Sequence, residues 1–315
     1  MLAIVGASGK LGFATLNSLL THNLLPASEI ICTSSSESGT SKLISLHAFH
    51  PALQIRNAHW DDPFSFEKAL KGCDKLFLIS SARIQRDFHD APQGEGREAD
   101  HFVALEAAKK VGVKHVYYTS LAFANPSKSR VMKAHERTEA WLAAQTEMKW
   151  TILREGLYNE SWPLYLSHYD FPGDERESVK VGGDGKISWT AIDDLGLATA
   201  VVLAAPEEKW EGRTCYLSQR QAWTLEEVAE MVGKARGKEV KLEVVDRESH
   251  ERYHVEERGM GEGNIKWWAK TYDALRDGEC EIHDSTLEDL LSSKGRRPKA
   301  MEETVKEMFA SAAKS

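Results

Sequence analysis

A chain of 315 residues, 42% hydrophobic and 28% charged, can bury a sizeable core without covalent cross-links. Its formal net charge of −8 argues against a nucleic-acid reader or a protein drawn to anionic membranes. The four cysteines, Cys32, Cys73, Cys215 and Cys280, stand far apart with no CxxC pair and no histidine at ligand spacing, so they read as reduced thiols and no metal site is expected.

The chain opens directly into an apolar strand, leaving no room for a signal peptide, and no apolar run reaches membrane-span length; a cytoplasmic protein is the expectation. In chain order, LAIVG (2–6) predicts a buried strand and KLGFATLNSLLTH (10–22) a helix with leucines at helical spacing. EIICTS (29–34) predicts a second strand, SKLISLHAF (41–49) a helix, LQIRNAHW (53–60) a third strand, and PFSFEKALKGC (63–73) a helix with proline in its first turn. KLFLIS (75–80), ADHFVALEAAKKVG (99–112) and HVYYTS (115–120) continue the alternation as strand, helix and strand. Strands separated by helices of this length imply an α/β fold with a doubly wound parallel sheet of the Rossmann type. Ligands bind such sheets at the carboxyl ends of the strands, here GASG, TSSS, HWDD, ISSA and TSLA, the last containing Ser120.

Beyond residue 121 a helix (131–145) and the strand KWTILRE (149–155) precede an aperiodic stretch, 156–175, rich in aromatics and proline. WTAIDDLGLATAVVLAAP (189–206) predicts a helix capped by Asp193 or Asp194, and TCYLS (214–218) a strand. A helix over 224–237 opens with a capping box at Thr224 and Glu227; a strand (241–246) and a terminal amphipathic helix follow. The expected organisation is a dinucleotide-binding domain over 1–155, to which segments of about 189–218 return, and a smaller α+β lobe over 156–315 that roofs the strand ends.

Gly6, Gly9 and Gly12 lie between the first strand and the first helix. That context fits a tight turn, a close approach to pyrophosphate and a helix packed near the sheet. An acidic residue ending the second strand would grip a ribose 2′-hydroxyl, and an arginine would meet a 2′-phosphate. Thr33, Ser34, Ser35 and Ser36 stand there instead, with Lys10 and Lys42 nearby, which favours NADP(H) over NAD(H).

GASGKLG, DKLFLISSA, KHVYYTSLAFAN and MKWTILREGLYNES together resemble the NmrA-like branch of the atypical short-chain dehydrogenase/reductase superfamily, and within it the NAD(P)H-dependent quinone oxidoreductases. The resemblance implies that Gly6, Ser8, Gly9, Lys10 and Leu11 hold the pyrophosphate. Ser34 stands where relatives carry arginine, and His59 where they carry an aspartate beside adenine. It further implies that Ser80, Ser81 and Ala82 line the ribose and nicotinamide path, and that Tyr158 and Asn159 contact the nicotinamide.

Classical members of that superfamily use a Tyr-x-x-x-Lys pair, and no tyrosine of this chain has lysine four residues on. The resemblance places His135 at the lysine position, with Glu139 one turn later on the same helix face. His135 there could orient the cofactor ribose or donate a proton. A quinone makes fewer demands on an acid, because hydride addition gives a stabilised phenolate; positioning of the ring then supplies much of the rate. Candidate walls are Phe123, Tyr158, Trp162, Tyr165, Trp189, Trp267 and Trp268. Asp61 and Asp62 read as the loop before a helix, and His250 and His254 as a solvated helix face. The expected function is reduction of a small aromatic or quinone substrate by a monomer or homodimer. The alternative is a non-catalytic NAD(P)-binding redox sensor that regulates a partner protein, which would discriminate reduced from oxidised cofactor.

Overall fold

The structure is a computed structural model and describes residues 1–314. The alternating apolar runs become strands β1 (Leu2–Val5), β2 (Ile30–Ser34), β3 (Gln54–Asn57), β4 (Lys75–Leu78), β5 (His115–Leu121) and β6 (Lys149–Glu155). Short strands β7 (Leu157–Tyr158), β8 (Ser178–Val181) and β9 (Trp189–Thr190) follow, then β10 (Arg213–Leu217) and β11 (Lys241–Val244). Seven of them form one parallel sheet in the order β10-β6-β5-β4-β1-β2-β3. Strand order reverses between β1 and β4, and the crevice above that point is where such sheets bind ligands.

Helices α1 (Lys10–Thr21), α2 (Glu37–His47), α3 (Pro63–Leu70), α4 (Glu98–Lys110) and α5 (Lys133–Ala143) supply the crossovers, and α6 (Trp162–Tyr165) and α7 (Ile192–Ala204) follow. On one face, Leu16 and Leu19 of α1 and Leu195 and Leu203 of α7 pack over Ile4 and Ile30. A Cβ on Gly196 would lie 2.7 Å from Ala14, so glycine permits the close approach of α7 to α1. On the other face, Phe66, Leu105 and Leu142 cover Val5, Leu78 and Ile152. Each such buried side chain contributes about 1.5–3 kcal/mol.

The remaining helices, α8 (Leu225–Arg236), α9 (Arg247–Arg252), α10 (Glu262–Arg276), α11 (Thr286–Ser292) and α12 (Met301–Ala312), follow in the second half. Side chains of α8, α10 and α12 help build a third core, with Trp162, Trp189, Val228, Trp268, Tyr272 and Val305 buried together. The Thr224–Glu227 capping box is present, and Gly237, at φ 76°, ends α8 in the left-handed region.

Three local expectations are corrected. The α2 helix starts at Glu37 rather than 41, because Ser36 accepts the Gly39 amide at 3.1 Å and acts as the N-cap. The α7 helix starts at Ile192, since Trp189 and Thr190 pair with Leu157 and Tyr158 instead. Its N-cap is Ala191; Asp194 is buried and accepts the Lys299 amide at 2.6 Å while pairing with Arg296 at 2.8 Å. By contrast, Asp62 does cap α3, through the Phe64 amide at 3.0 Å.

Candidate cofactor and substrate site

The turn after β1 is built for a phosphate. Gly6 has φ +87°, a conformation costly for any other residue, and its carbonyl accepts the Gly9 amide at 3.0 Å. Gly9 is the N-cap of α1 with no side-chain hydrogen bond, which leaves first-turn amides free for an anion at the positive end of the helix. A Cβ on Gly12 would collide with the Gly6 carbonyl and lie 2.7 Å from Ile79 Cδ1, so only glycine lets α1 sit down on the loop. A pyrophosphate fits this cradle, with Ser8 partly exposed, Lys10 exposed and Leu11 buried beneath it.

Beside the cradle, a Cβ on Gly39 would stand 2.7 Å from the hydroxyls of both Ser8 and Ser34 and 2.9 Å from that of Ser36. Lys42 donates to the Ser8 carbonyl at 3.1 Å and covers the Phe13 ring at 4.0 Å. Hydroxyls, a helix N-terminus and one ammonium therefore occupy the place of the missing arginine, although the exposed Glu37 also opens that helix. Thr33 is buried within β2. His59 is exposed after β3, 3.6 Å from Asp61, whose carboxyl is held below its usual range by hydrogen bonding to Arg83.

Behind β4 and β5 lies a buried polar network whose hydrogen-bond directions can be assigned in sequence. Thr138 Oγ1 donates to the Ala134 carbonyl at 2.7 Å, so it accepts from His101 Nδ1 at 2.8 Å. His101 Nε2 is then an acceptor, receiving the Ser81 amide at 3.0 Å and the Ser80 hydroxyl at 3.1 Å. The Tyr118 hydroxyl and His135 Nδ1 share a hydrogen bond at 2.9 Å. Arg97, paired with Asp87 at 2.6 Å, closes the network through the Val131 carbonyl at 2.9 Å.

This network corrects several expectations. His135 is 2% exposed with Nδ1 engaged by Tyr118, and burial with Arg97 nearby keeps its pKa well below the usual histidine value. It is therefore uncharged at neutral pH and does not act as a cationic acid. Ser81 donates to Asp100 at 2.6 Å and Ser120 to Glu139 at 2.6 Å, so neither hydroxyl is free. Glu139 also receives Arg154 at 2.7 Å. Asn159 is buried and donates to Thr304 of α12 at 2.9 Å, tying the β7 segment to the C-terminal helix rather than turning to the crevice. Ser80 is half-buried and Ala82 exposed.

At the carboxyl ends of β5 and β6 lies a cavity of about 150 Å³, lined by Phe123, Tyr158, Ser161, Leu164, Tyr165 and Trp268 among others. Burial pushes both tyrosine hydroxyls well above their usual pKa, so they stay protonated. The other expected walls lie elsewhere. Trp162 is packed among Tyr169, Phe171 and Phe309, Trp189 stands behind Tyr165 with ring centres 4.9 Å apart, and Trp267 faces Phe88 at 5.8 Å. Next to the cavity, Glu155 is 1% exposed; one oxygen accepts Thr199 at 3.0 Å, the other has no partner, and burial pushes its pKa up to about 8.

His250 and His254 are buried, not solvated. Their rings stand 4.4 Å apart, bonded to the Lys180 carbonyl and the Ser167 hydroxyl. Among the described residues no group of His, Cys, Asp and Glu is arranged to hold a metal ion, and no helix is long and apolar enough to cross a membrane.

With the cradle and the cavity both at the carboxyl ends of strands of one parallel sheet, the fold and site define a dinucleotide-binding α/β protein. The profile of the NAD(P)H-binding family matches residues 6–163, and the chain belongs to that family, in its NmrA-like branch. It is 33% identical over 244 residues, 76% of each chain, to quinone oxidoreductase 2 of Escherichia coli strain K12. Among solved structures it resembles the triphenylmethane reductase of Citrobacter sp. complexed with NADP(H), at TM-score 0.80 and 28% identity over 98% of this chain and 100% of that one. It also resembles the NADPH-dependent quinone oxidoreductase of E. coli complexed with NADPH, at TM-score 0.79 and 28% identity over 98% and 100% of the two chains.

Proposed function

We propose that this chain, an NAD(P)H-dependent oxidoreductase of the NmrA-like family, prefers NADP(H) and reduces a quinone or related conjugated aromatic carbonyl. The observation that carries this reading is the small apolar cavity at the ends of β5 and β6, on the same edge of the parallel sheet as the glycine cradle. Gly6, Gly9 and Gly12 would hold the pyrophosphate, Ser8 and Lys42 the 2′-phosphate, and Ser80 a ribose hydroxyl; the Ser34 hydroxyl donates to the Ser36 carbonyl at 3.0 Å and is not free to meet a phosphate. Ser80 suits the ribose role because its own proton is committed to His101 and, with Arg97 Nη1 donating to it at 3.5 Å, one lone pair is left to accept.

Reduced nicotinamide bound there would supply a hydride, two electrons with one proton, to the conjugated ring. The protein then has to hold the acceptor flat, exclude water and stabilise the charge that appears on the carbonyl oxygen. Tyr158 is placed to stabilise that charge, since its protonated hydroxyl can donate to the oxygen; a second proton, from water, completes the hydroquinone. His135 acts as a positioning residue, holding Tyr118 at the back of the crevice. The absence of a Tyr-x-x-x-Lys pair suits an acceptor whose reduced form is a stabilised phenolate. NADPH consumption with a panel of quinones tests this reading; no turnover of any quinone above a heat-denatured control would refute it.

A further inference from the structure

Resting on that reading, we infer that the cavity selects a neutral acceptor of a single ring, with Trp268 and Tyr165 as the walls that exclude a second. An apolar cavity of about 150 Å³ has the size that accommodates one benzene ring, well below the volume of pockets for drug-sized ligands. Tyr165 and Trp268 meet edge to face with ring centres 5.0 Å apart, and Tyr165 is backed in turn by Trp189. Both rings are almost fully buried in the lobe core, so neither can swing aside without opening that core.

The chemistry of the lining points the same way. No lining side chain is charged, so a cationic dye would find no counter-charge to offset its desolvation. The polar side-chain groups on the lining residues are the hydroxyls of Tyr158, Ser161 and Tyr165 and the unpartnered indole N–H of Trp268, all donors that suit the oxygens of a para-quinone. The acceptor class is therefore a benzoquinone or similar one-ring carbonyl. A naphthoquinone or a three-ring cationic dye such as crystal violet exceeds that volume and would leave a ring outside the cavity.

The test combines turnover with binding that needs no turnover. With NADPH, kcat/KM is compared for para-benzoquinone, naphthoquinone and crystal violet; without cofactor, binding of phenol and naphthol is measured by calorimetry. The expected wild-type preference for one ring is about tenfold or more in both readouts. In Trp268→Leu the two-ring compounds should gain about tenfold relative to the one-ring compounds. Leu164→Phe, which fills the cavity without truncating a core side chain, should abolish phenol binding while NADPH still binds. One-ring selectivity in binding with no quinone turned over would uphold the cavity assignment and refute the reductase reading. Wild-type protein that handles one-ring and larger compounds equally, that binds neither phenol nor naphthol, or whose phenol binding survives Leu164→Phe would overturn the inference.

Discussion

Glu155 offers a stability test that can be worked through from the structure. It ends β6 at 1% exposure, with Thr199 bonded to one oxygen at 3.0 Å and nothing bonded to the other. Burial raises its pKa from 4.5 to about 8, so the folded protein keeps it protonated at neutral pH while the unfolded chain ionises it. An acid whose folded pKa is raised contributes stability that is full below its unfolded pKa and is lost as pH rises through the folded value. At pH 7.5 the loss is about 3 units of about 1.36 kcal/mol each, or about 4 kcal/mol. Glu155→Gln keeps the Thr199 bond and the shape while removing the titration. It should therefore stabilise the protein at pH 7.5 by about 2–4 kcal/mol, after the cost of an unpaired amide donor. Denaturant unfolding of both proteins between pH 5 and 8 is the assay. The difference between variant and wild type should widen by about 1.4 kcal/mol per pH unit across that range. A difference that is constant with pH would refute the reasoning, because burial of a titrating carboxyl is its only source.

Three further outcomes are expected. Gly12→Ala drives a methyl into the Gly6 carbonyl, so the Kd for NADPH, read from cofactor fluorescence, should rise at least about tenfold while the fold survives. Lys42→Ala should weaken NADPH by about tenfold and leave NADH unchanged; equal losses would remove Lys42 from the 2′-phosphate site. His101, His250 and His254 are buried and held neutral, with pKa values below the 6.5 they regain on unfolding. The unfolded chain then binds more protons below pH 6.5, and stability should fall by about 1.4 kcal/mol per pH unit per imidazole between pH 6 and pH 5. An unchanged urea midpoint over that interval would contradict their burial as neutral rings.

Much of the architecture was legible because strand and helix signals agree in the first half. Buried runs such as LAIV and KLFL are bounded by turns, and α1 and α3 carry apolar stripes. The glycine cradle was equally legible, since its chemistry lies in local backbone geometry. The polar network was not: Tyr118 reads as one more strand residue, and His101 as part of an ordinary amphipathic helix. A signal did exist, because Glu98, Asp100 and His101 fall on buried positions of α4 where leucines would be expected. The tryptophans were separable only in three dimensions. Trp267 and Trp268 are neighbours on α10 yet point about 100° apart, so one lines the cavity and the other packs on Phe88. The sequence puts His135 on the correct helix, but its direction depends on Tyr118 of β5, on which that helix packs.

Cofactor oxidation by a bound acceptor is tested most directly in a single turnover. Purified protein is mixed with stoichiometric NADPH, then with para-benzoquinone, while reduced-nicotinamide absorbance is followed. Rapid loss of absorbance is expected, slowed by about a hundredfold in Tyr158→Phe with NADPH binding unchanged. Tight binding of NADPH without oxidation by any quinone would contradict a reductase and leave the glycine cradle as the grip of a non-catalytic sensor.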